Sequence, residues 1–361
     1  MVKNYFFKSF LIGGLLVTSL VSKAQHDPYY THFRFNKQAY NPAAAGEKLD
    51  YICINGLTHY QYRDYNDYTK VTGTNPDPGT NKDLVATNMA PETYNLNIST
   101  LLKLDKAGRH KVGVGLTLID DNIGFMKTTT IKGAINYRKP IQGQFGYLAV
   151  GVEFGSTSFA YVNPKFKAID PNDPRIPTGD GSQSNLDLGV GVYYHQAKFM
   201  KVLDNFYVGA SYNHLNGAKY NFTVPTAIGR AAVDMDFVRY LYVTSGADWN
   251  LANKNWKLEP TVLIKYNPKL QLDLNMTALY SNSLRAGLGY RSAADALAII
   301  VGYERGQLQV GYSYDITMSK IRKVSDGTHE IFVKYCFPIS FPPPPEKKFR
   351  LTPRFMGKGA Y

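Results

Sequence analysis

Cys53 and Cys336 are the only two cysteines in the chain, and they lie near opposite ends of it. In an oxidising compartment such a pair can be bonded; the other reading is two free buried thiols in different registers. Little else has the types and spacing that chemistry needs. The seven histidines are dispersed, with no pair at metal-ligand spacing. Asp170, Asp173 and Asp180 crowd a Pro-rich stretch, but they miss the calcium-loop pattern and read as ordinary turns. Gly287-Leu288-Gly289 resembles a dinucleotide loop, yet it sits inside an alternating run with no helix after it. No Ser-His constellation stands out. The expectation is a non-enzymatic protein with no cofactor.

Charges of both signs recur at one phase of alternating runs: Lys132, Arg138, Glu153, Asp187, Lys265, Asp273, Arg285, Glu304 and Asp315. The elements that position them are strands. Leu270, Leu272, Leu274, Met276, Ala278 and Tyr280 fall on one face, and Gln271, Asp273, Asn275 and Thr277 on the other. Period two over so many residues means a strand with a different solvent on each side. The pattern recurs from Val112 to Leu118, Leu186 to Tyr194, Leu284 to Arg291, Leu297 to Glu304 and Leu308 to Thr317.

The runs number about fourteen, each of about ten to twelve residues, longer than sandwich strands. Short connections fall near Asp105–Arg109, Pro140–Gln142, Lys198–Lys201, Ala252–Lys254, Ser281–Ser283 and Arg305–Gly306. Long ones fall at Arg63–Pro91, Tyr161–Asn185, Asn216–Met235 and Ser319–Gly327, all at odd positions. That parity predicts a transmembrane antiparallel β-barrel, residues 51–337, with short turns in the periplasm, long loops outside and both termini in the periplasm. The 28 tyrosines supply the interfacial girdles. Closing the barrel makes the first and last strands neighbours and brings Cys53 and Cys336 to one seam, both on the lumen face. Polar lumen positions imply a wet or salt-bridged interior; the period-two glycines admit a plug or accommodate strand tilt.

Met1 to Ala24 reads as a secretory signal, with Lys3 and Lys8 before the apolar core Phe10–Leu20 and Ser22-Lys23-Ala24 as the cleavage site. The net charge of +13 is spread through strands and turns, which argues against nucleic acid and for lipid phosphates or acidic periplasmic partners. Residues 25–50 do not alternate; a plug, a periplasmic cap or a lead-in to the first strand all fit. After Phe337 the chain continues as a tail, residues 338–361. Pro342–Pro345 set a stiff segment, followed by Lys347, Lys348, Phe349, Arg350, Arg354 and Phe355. It reads as a docking tail or as a plain basic extension.

Gln25-His26-Asp27-Pro28, Phe35-Asn36 and Tyr40-Asn41-Pro42-Ala43-Ala44-Ala45-Gly46 resemble the N-terminal signature of the PorP/SprF family of type IX secretion membrane proteins. Leu258-Glu259-Pro260, Gln271 to Asn275, Gly287 to Arg291, Gly311 to Asp315 and His329-Glu330-Ile331 are similar to its C-terminal half. The resemblance implies an outer-membrane barrel of Bacteroidota that serves the export and gliding machinery. It also implies partners: secretion components, a secreted surface adhesin, or peptidoglycan-linked periplasmic proteins. Tyr40, Asn41, Pro42 and Gly46, with the basic tail residues, are the candidate partner-binding positions. The alternatives are a passive or hydrophobic-solute channel and, third, a lipid-modifying enzyme.

Overall fold

The computed structural model describes residues 27–63, 90–105, 108–141, 146–162, 173–323 and 325–339. Its strands are β1 (Tyr51–Tyr60), β2 (Glu92–Lys103), β3 (Lys111–Ile123), β4 (Met126–Ile141), β5 (Gly146–Tyr161), β6 (Gly181–Lys198), β7 (Leu203–Asn213), β8 (Lys219–Thr226) and β9 (Gly229–Asp236), then β10 (Tyr240–Asn250), β11 (Trp256–Asn267), β12 (Lys269–Tyr280), β13 (Leu284–Arg291), β14 (Ala296–Arg305), β15 (Leu308–Thr317) and β16 (Thr328–Pro338). All except β8 and β9 join, antiparallel and each beside its neighbour in sequence, into a closed barrel of fourteen strands in which β1 pairs with β16. Closure matters because hydrocarbon offers no partner to an open strand edge, and each unpaired backbone group there costs several kcal/mol.

Burial is inverted relative to a soluble protein. Leu270 is 71% exposed and Leu288 65%, whereas Lys265 is 1% exposed and Glu330 0%. Alternation puts leucine, isoleucine and valine on the outer face toward lipid and polar side chains in the lumen. Exposed Tyr137, Trp249, Trp256, Tyr280, Tyr303 and Tyr335 ring the turn side, and Tyr94, Tyr212, Tyr266 and Tyr290 the loop side. Such rings can anchor a barrel at both interfaces.

The strand lengths depart from the expected uniformity. β4 and β5 have 16 residues each and β6 has 18, while β13 has 8. β6 starts at Gly181, inside the stretch expected to be a loop up to Asn185. The stretch Asn216–Met235 is not a plain loop either, because it folds as the β8–β9 hairpin. The hairpin leans on the outer end of β6: Asn185 donates to the Lys219 carbonyl at 2.9 Å, and Asn221 N–H donates to Gln183 at 2.6 Å. The outer end of β6 is thus bridged to the hairpin through side chains, while β8 and β9 pair only with each other.

At the seam the register sets Tyr51 opposite Pro338 and Tyr60 opposite His329. Cys53 faces Cys336 directly, with Cα atoms 4.0 Å apart and a disulfide between them.

Two outcomes test this frame. Replacing Leu288 by Arg at mid-strand on the lipid face should cost about 2–4 kcal/mol, read from urea unfolding in liposomes; no loss would move that face off the lipid. Thiol labelling of the unfolded protein should find neither cysteine until reductant is added; full labelling without reductant would dissolve the bond.

Candidate functional site

The lumen is not empty. The chain from Asp27 to Gly46 runs through it from the loop end to the turn end before entering β1. Its backbone groups, which no sheet pairs, take their partners from the polar lumen wall. Thr31 and His32 N–H donate to Glu330 of β16 at 2.8 and 2.6 Å. The Nδ1 atoms of His32 and His59 lie 2.7 and 2.8 Å from the same carboxylate. Thr31 Oγ1 donates to Asp315 at 3.0 Å, and Asn275 donates to the Thr31 carbonyl at 2.7 Å. Arg34 reaches Asp248 of β10 and Glu259 of β11.

Below this band the segment makes one helical turn, Lys37–Tyr40, and a tighter turn, Pro42–Ala44. The signature residues explain the second turn. Asn41 caps it, its Oδ1 accepting from Ala43 N–H at 2.9 Å, and Pro42 occupies the first position, where no N–H is needed. Asn41 Nδ2 donates to the carbonyls of Val192 and Ala210 at 3.0 and 3.3 Å. Ser211 and Asn213 donate to the Tyr40 carbonyl at 2.6 and 3.0 Å. Arg138 donates to the carbonyls of Ala45 and Gly46. Gly46, at φ +82°, turns the chain toward Glu47, which pairs with Lys334.

The wall facing this turn is glycine. A Cβ on Gly113 would strike the Ala45 carbonyl, one on Gly151 would sit 2.6 Å from Ala43 N, and one on Gly191 would strike Asn41. Small residues in the segment and missing side chains in the wall allow backbone-to-backbone contact. Gly287 differs: a Cβ there would meet Thr277 of the adjacent strand, so that glycine serves strand packing.

The lumen charges compensate one another. Lys132 lies 3.1 Å from both Glu153 and Asp187; Lys265 lies 3.4 Å from Asp273, and Arg291 3.2 Å from Asp315. Arg285 bonds Glu259 at 2.6 Å and Glu304 at 3.4 Å. At the loop end His214, just past β7, holds Asp187 at 2.9 Å through Nδ1 and Asp27 at 3.1 Å through Nε2. Burial alone would lower its pKa; Asp27 and the bond to Asp187 outweigh that and push it up to about 9. At the turn end burial, with Arg34 and Lys334 nearby, lowers Lys37 to about 8 against the pull of Glu47.

Several expectations change. Tyr40 and Asn41 are each 2% exposed, and Pro42 and Gly46 are buried; wall contacts occupy all four, so they are internal anchors and not an open face for a partner. The N-terminus was expected in the periplasm, but Asp27 sits at the loop end beside His214 and Tyr242. An even strand count fixes only where β1 starts, not the path that precedes it. The signal Met1–Ala24 and the tail residues Lys347, Lys348, Phe349, Arg350, Arg354 and Phe355 lie outside the described residues, as does Asp170. Sequence reasoning passed over His59, Asp248 and Arg34, and it met Glu330 only as part of the family-like His329-Glu330-Ile331 with no role assigned. The alternation of β1 and β16 already put His59 and Glu330 on the lumen face, which was the available signal.

Gly151→Val should expel the Pro42 turn while leaving the barrel formed, raising hydrogen exchange in residues 27–46. Gly133→Ala, which meets nothing nearer than 3.8 Å, should leave exchange unchanged. The raised pKa of His214 means its latch is fully present below about pH 6.5 and is lost as pH rises through about 9. Protection at Asp27, Tyr29 and Tyr30, taken relative to the intrinsic base-catalysed rate, should therefore fall over that interval, and His214→Asn should abolish the pH dependence of that protection.

One solved structure supports the fold, and two others resemble the chain more loosely. A FadL homologue from Pseudomonas aeruginosa superposes with a TM-score of 0.51 at 13% identity, covering 88% of this chain and 96% of that one. The toluene transporter TbuX of Ralstonia pickettii gives 0.47 at 11% identity, covering 84% and 93%. The translocator domain of the autotransporter NalP from Neisseria meningitidis gives 0.45 at 10%, covering 85% and 96%. No curated protein matches the sequence. The family model described as type IX secretion system membrane protein PorP/SprF matches residues 22–335. The chain therefore belongs to the PorP/SprF family of type IX secretion system membrane proteins, built as an outer-membrane β-barrel.

Proposed function

We propose that this chain is a filled, non-enzymatic outer-membrane barrel of the type IX secretion and gliding machinery. It assembles with periplasmic secretion components or anchors a secreted adhesin at the cell surface. The observation that carries the reading is the occupied lumen. Two cavities flank the Asp27–Gly46 segment, ≈ 1070 Å³ at the turn end and ≈ 280 Å³ at the loop end, and they share no lining residue. A barrel divided in this way suits anchoring better than free diffusion. Its working surfaces are then the outer loops with the β8–β9 hairpin, and the turn side, where Ile339 follows β16.

The second reading, a hydrophobic-solute channel, draws on the loop-end cavity, which Tyr29, Tyr30, Tyr40, Phe159, Phe237 and Tyr240 line.

Two measurements separate the readings. In planar bilayers the native protein should conduct poorly, and deletion of residues 27–46 should open it. Affinity purification from native outer membranes should recover secretion components or a large surface adhesin. High native conductance with no such partner would favour the channel.

A further inference from the structure

The turn-end cavity has a sign. Among the described residues, ten lysines or arginines and four aspartates or glutamates line it. Gly108 and Arg109 of the β2–β3 turn and Asn282 of the β12–β13 turn stand at its rim, so it opens on the periplasmic side. All four acids already have partners: Glu47 takes Lys334, Asp248 takes Arg34, Glu259 is shared by Arg34 and Arg285, and Glu304 takes Arg285. The cations are not exhausted by these pairs. Lys37 meets no carboxylate at ion-pair distance among the described residues; its Nζ lies 4.3 Å from the centroid of the Tyr207 ring and 3.4 Å from Tyr193 Oη. Arg138 spends its bonds on Asn136 and on backbone carbonyls, neither of which carries charge.

We propose that this vestibule receives an acidic polypeptide segment of a periplasmic partner, its carboxylates neutralising Lys37 and the surrounding wall cations. The assignment deepens the assembly reading above and rests on it for the identity of the partner's compartment.

Three observations select this occupant. The cations are spread over the wall from β3 to β16, which suits a chain bearing several carboxylates; a single phosphate needs donors converging on one point. The volume, ≈ 1070 Å³, sits at the upper limit of small-molecule pockets, about 300–1,000 Å³, and leaves room for several residues. The chain's own tail is excluded by charge, since residues 340–361 carry five lysines or arginines against Glu346 alone. The flat stack of Tyr147, Tyr193 and Tyr207, with centroids 6.3 and 5.7 Å apart, offers the segment a non-polar floor.

The test uses full-length protein in nanodiscs and a fluorescent hexaglutamate peptide, followed by anisotropy. Hexaglutamate should bind in a salt-sensitive way and hexalysine should not. The rim variant Lys257→Glu, whose register partners are Asn250 and Leu279 and not an anchor of the lumen segment, should weaken binding by at least about tenfold, and Lys37→Gln should do so independently. Both variants must keep the native urea midpoint. Equal binding of the two peptides, or native affinity in the rim variant, overturns the proposal. So does competition by inorganic phosphate or a muropeptide where hexaglutamate fails. Should hexaglutamate fail while secretion components still co-purify, the vestibule assignment falls and the assembly reading stands. Should it bind while no component is recovered, the vestibule is a peptide site and the assembly reading falls.

Discussion

Glu330 is the point where frame and filling become one object. Its carboxylate has no solvent contact, and it sits beside two backbone N–H groups and two histidine rings. Removing one partner from such a group costs about 3–5 kcal/mol, because the charge that remains has nothing to replace it. Those partners come from two places: the lumen segment, and β1 across the closure seam, where the register sets His59 directly opposite Glu330. The same seam is bonded at its other end by Cys53 and Cys336, 283 residues apart in sequence. The first and last strands are thus joined covalently near the turns and by a buried carboxylate near the loops. A barrel has only one place where strands distant in sequence must meet, and this chain secures it at both ends.

The filling follows from the frame. Alternation forces every second residue of each strand inward, and lipid claims the apolar half, so the lumen wall is polar by construction. Only a segment offering complementary polar groups can be buried there without stranding them. Residues 27–46 do so with backbone carbonyls toward Asn136, Arg138, Ser211 and Asn213, and with N–H groups toward Glu330. Where contact must be closest the wall gives up side chains at Gly113, Gly151 and Gly191, against Ala45, Ala43 with Pro42, and Asn41 of the segment.

The division between what was readable in the sequence and what was not has the same origin. Strand number, parity and facing are properties of local alternation, and runs such as Leu270–Tyr280 display them without any knowledge of neighbours. Both cysteines could be brought to one seam for the same reason. The path of residues 27–46 is a matter of contacts between residues as distant as Thr31 and Glu330, and no period reports those. The Asn41-Pro42 start was visible as a turn, but its burial was not, because a turn signature is the same in a lumen and in water. The β8–β9 hairpin was hidden differently: Tyr220, Phe222 and Val224 alternate as a barrel strand would, but alternation does not tell which strands join the barrel and which pair only with each other.

Polar anchoring also determines how the filling can leave. An apolar plug would be held by its area, and sliding it would cost in proportion to the surface exposed. This segment is held by discrete bonds, and each wall group it abandons needs a substitute at that moment. Water can supply one for Asn136 or Ser211. It serves poorly for Glu330, whose surroundings would have to open before solvent could enter. Withdrawal is therefore stepwise and unequal. The Pro42 turn, bonded mostly through neutral carbonyls, yields more readily than the Thr31–His32 band. The turn-end stretch is also the part that borders the basic vestibule. A charged partner arriving from the periplasm meets the loosest portion of the segment first, while the seam behind it stays locked by the carboxylate.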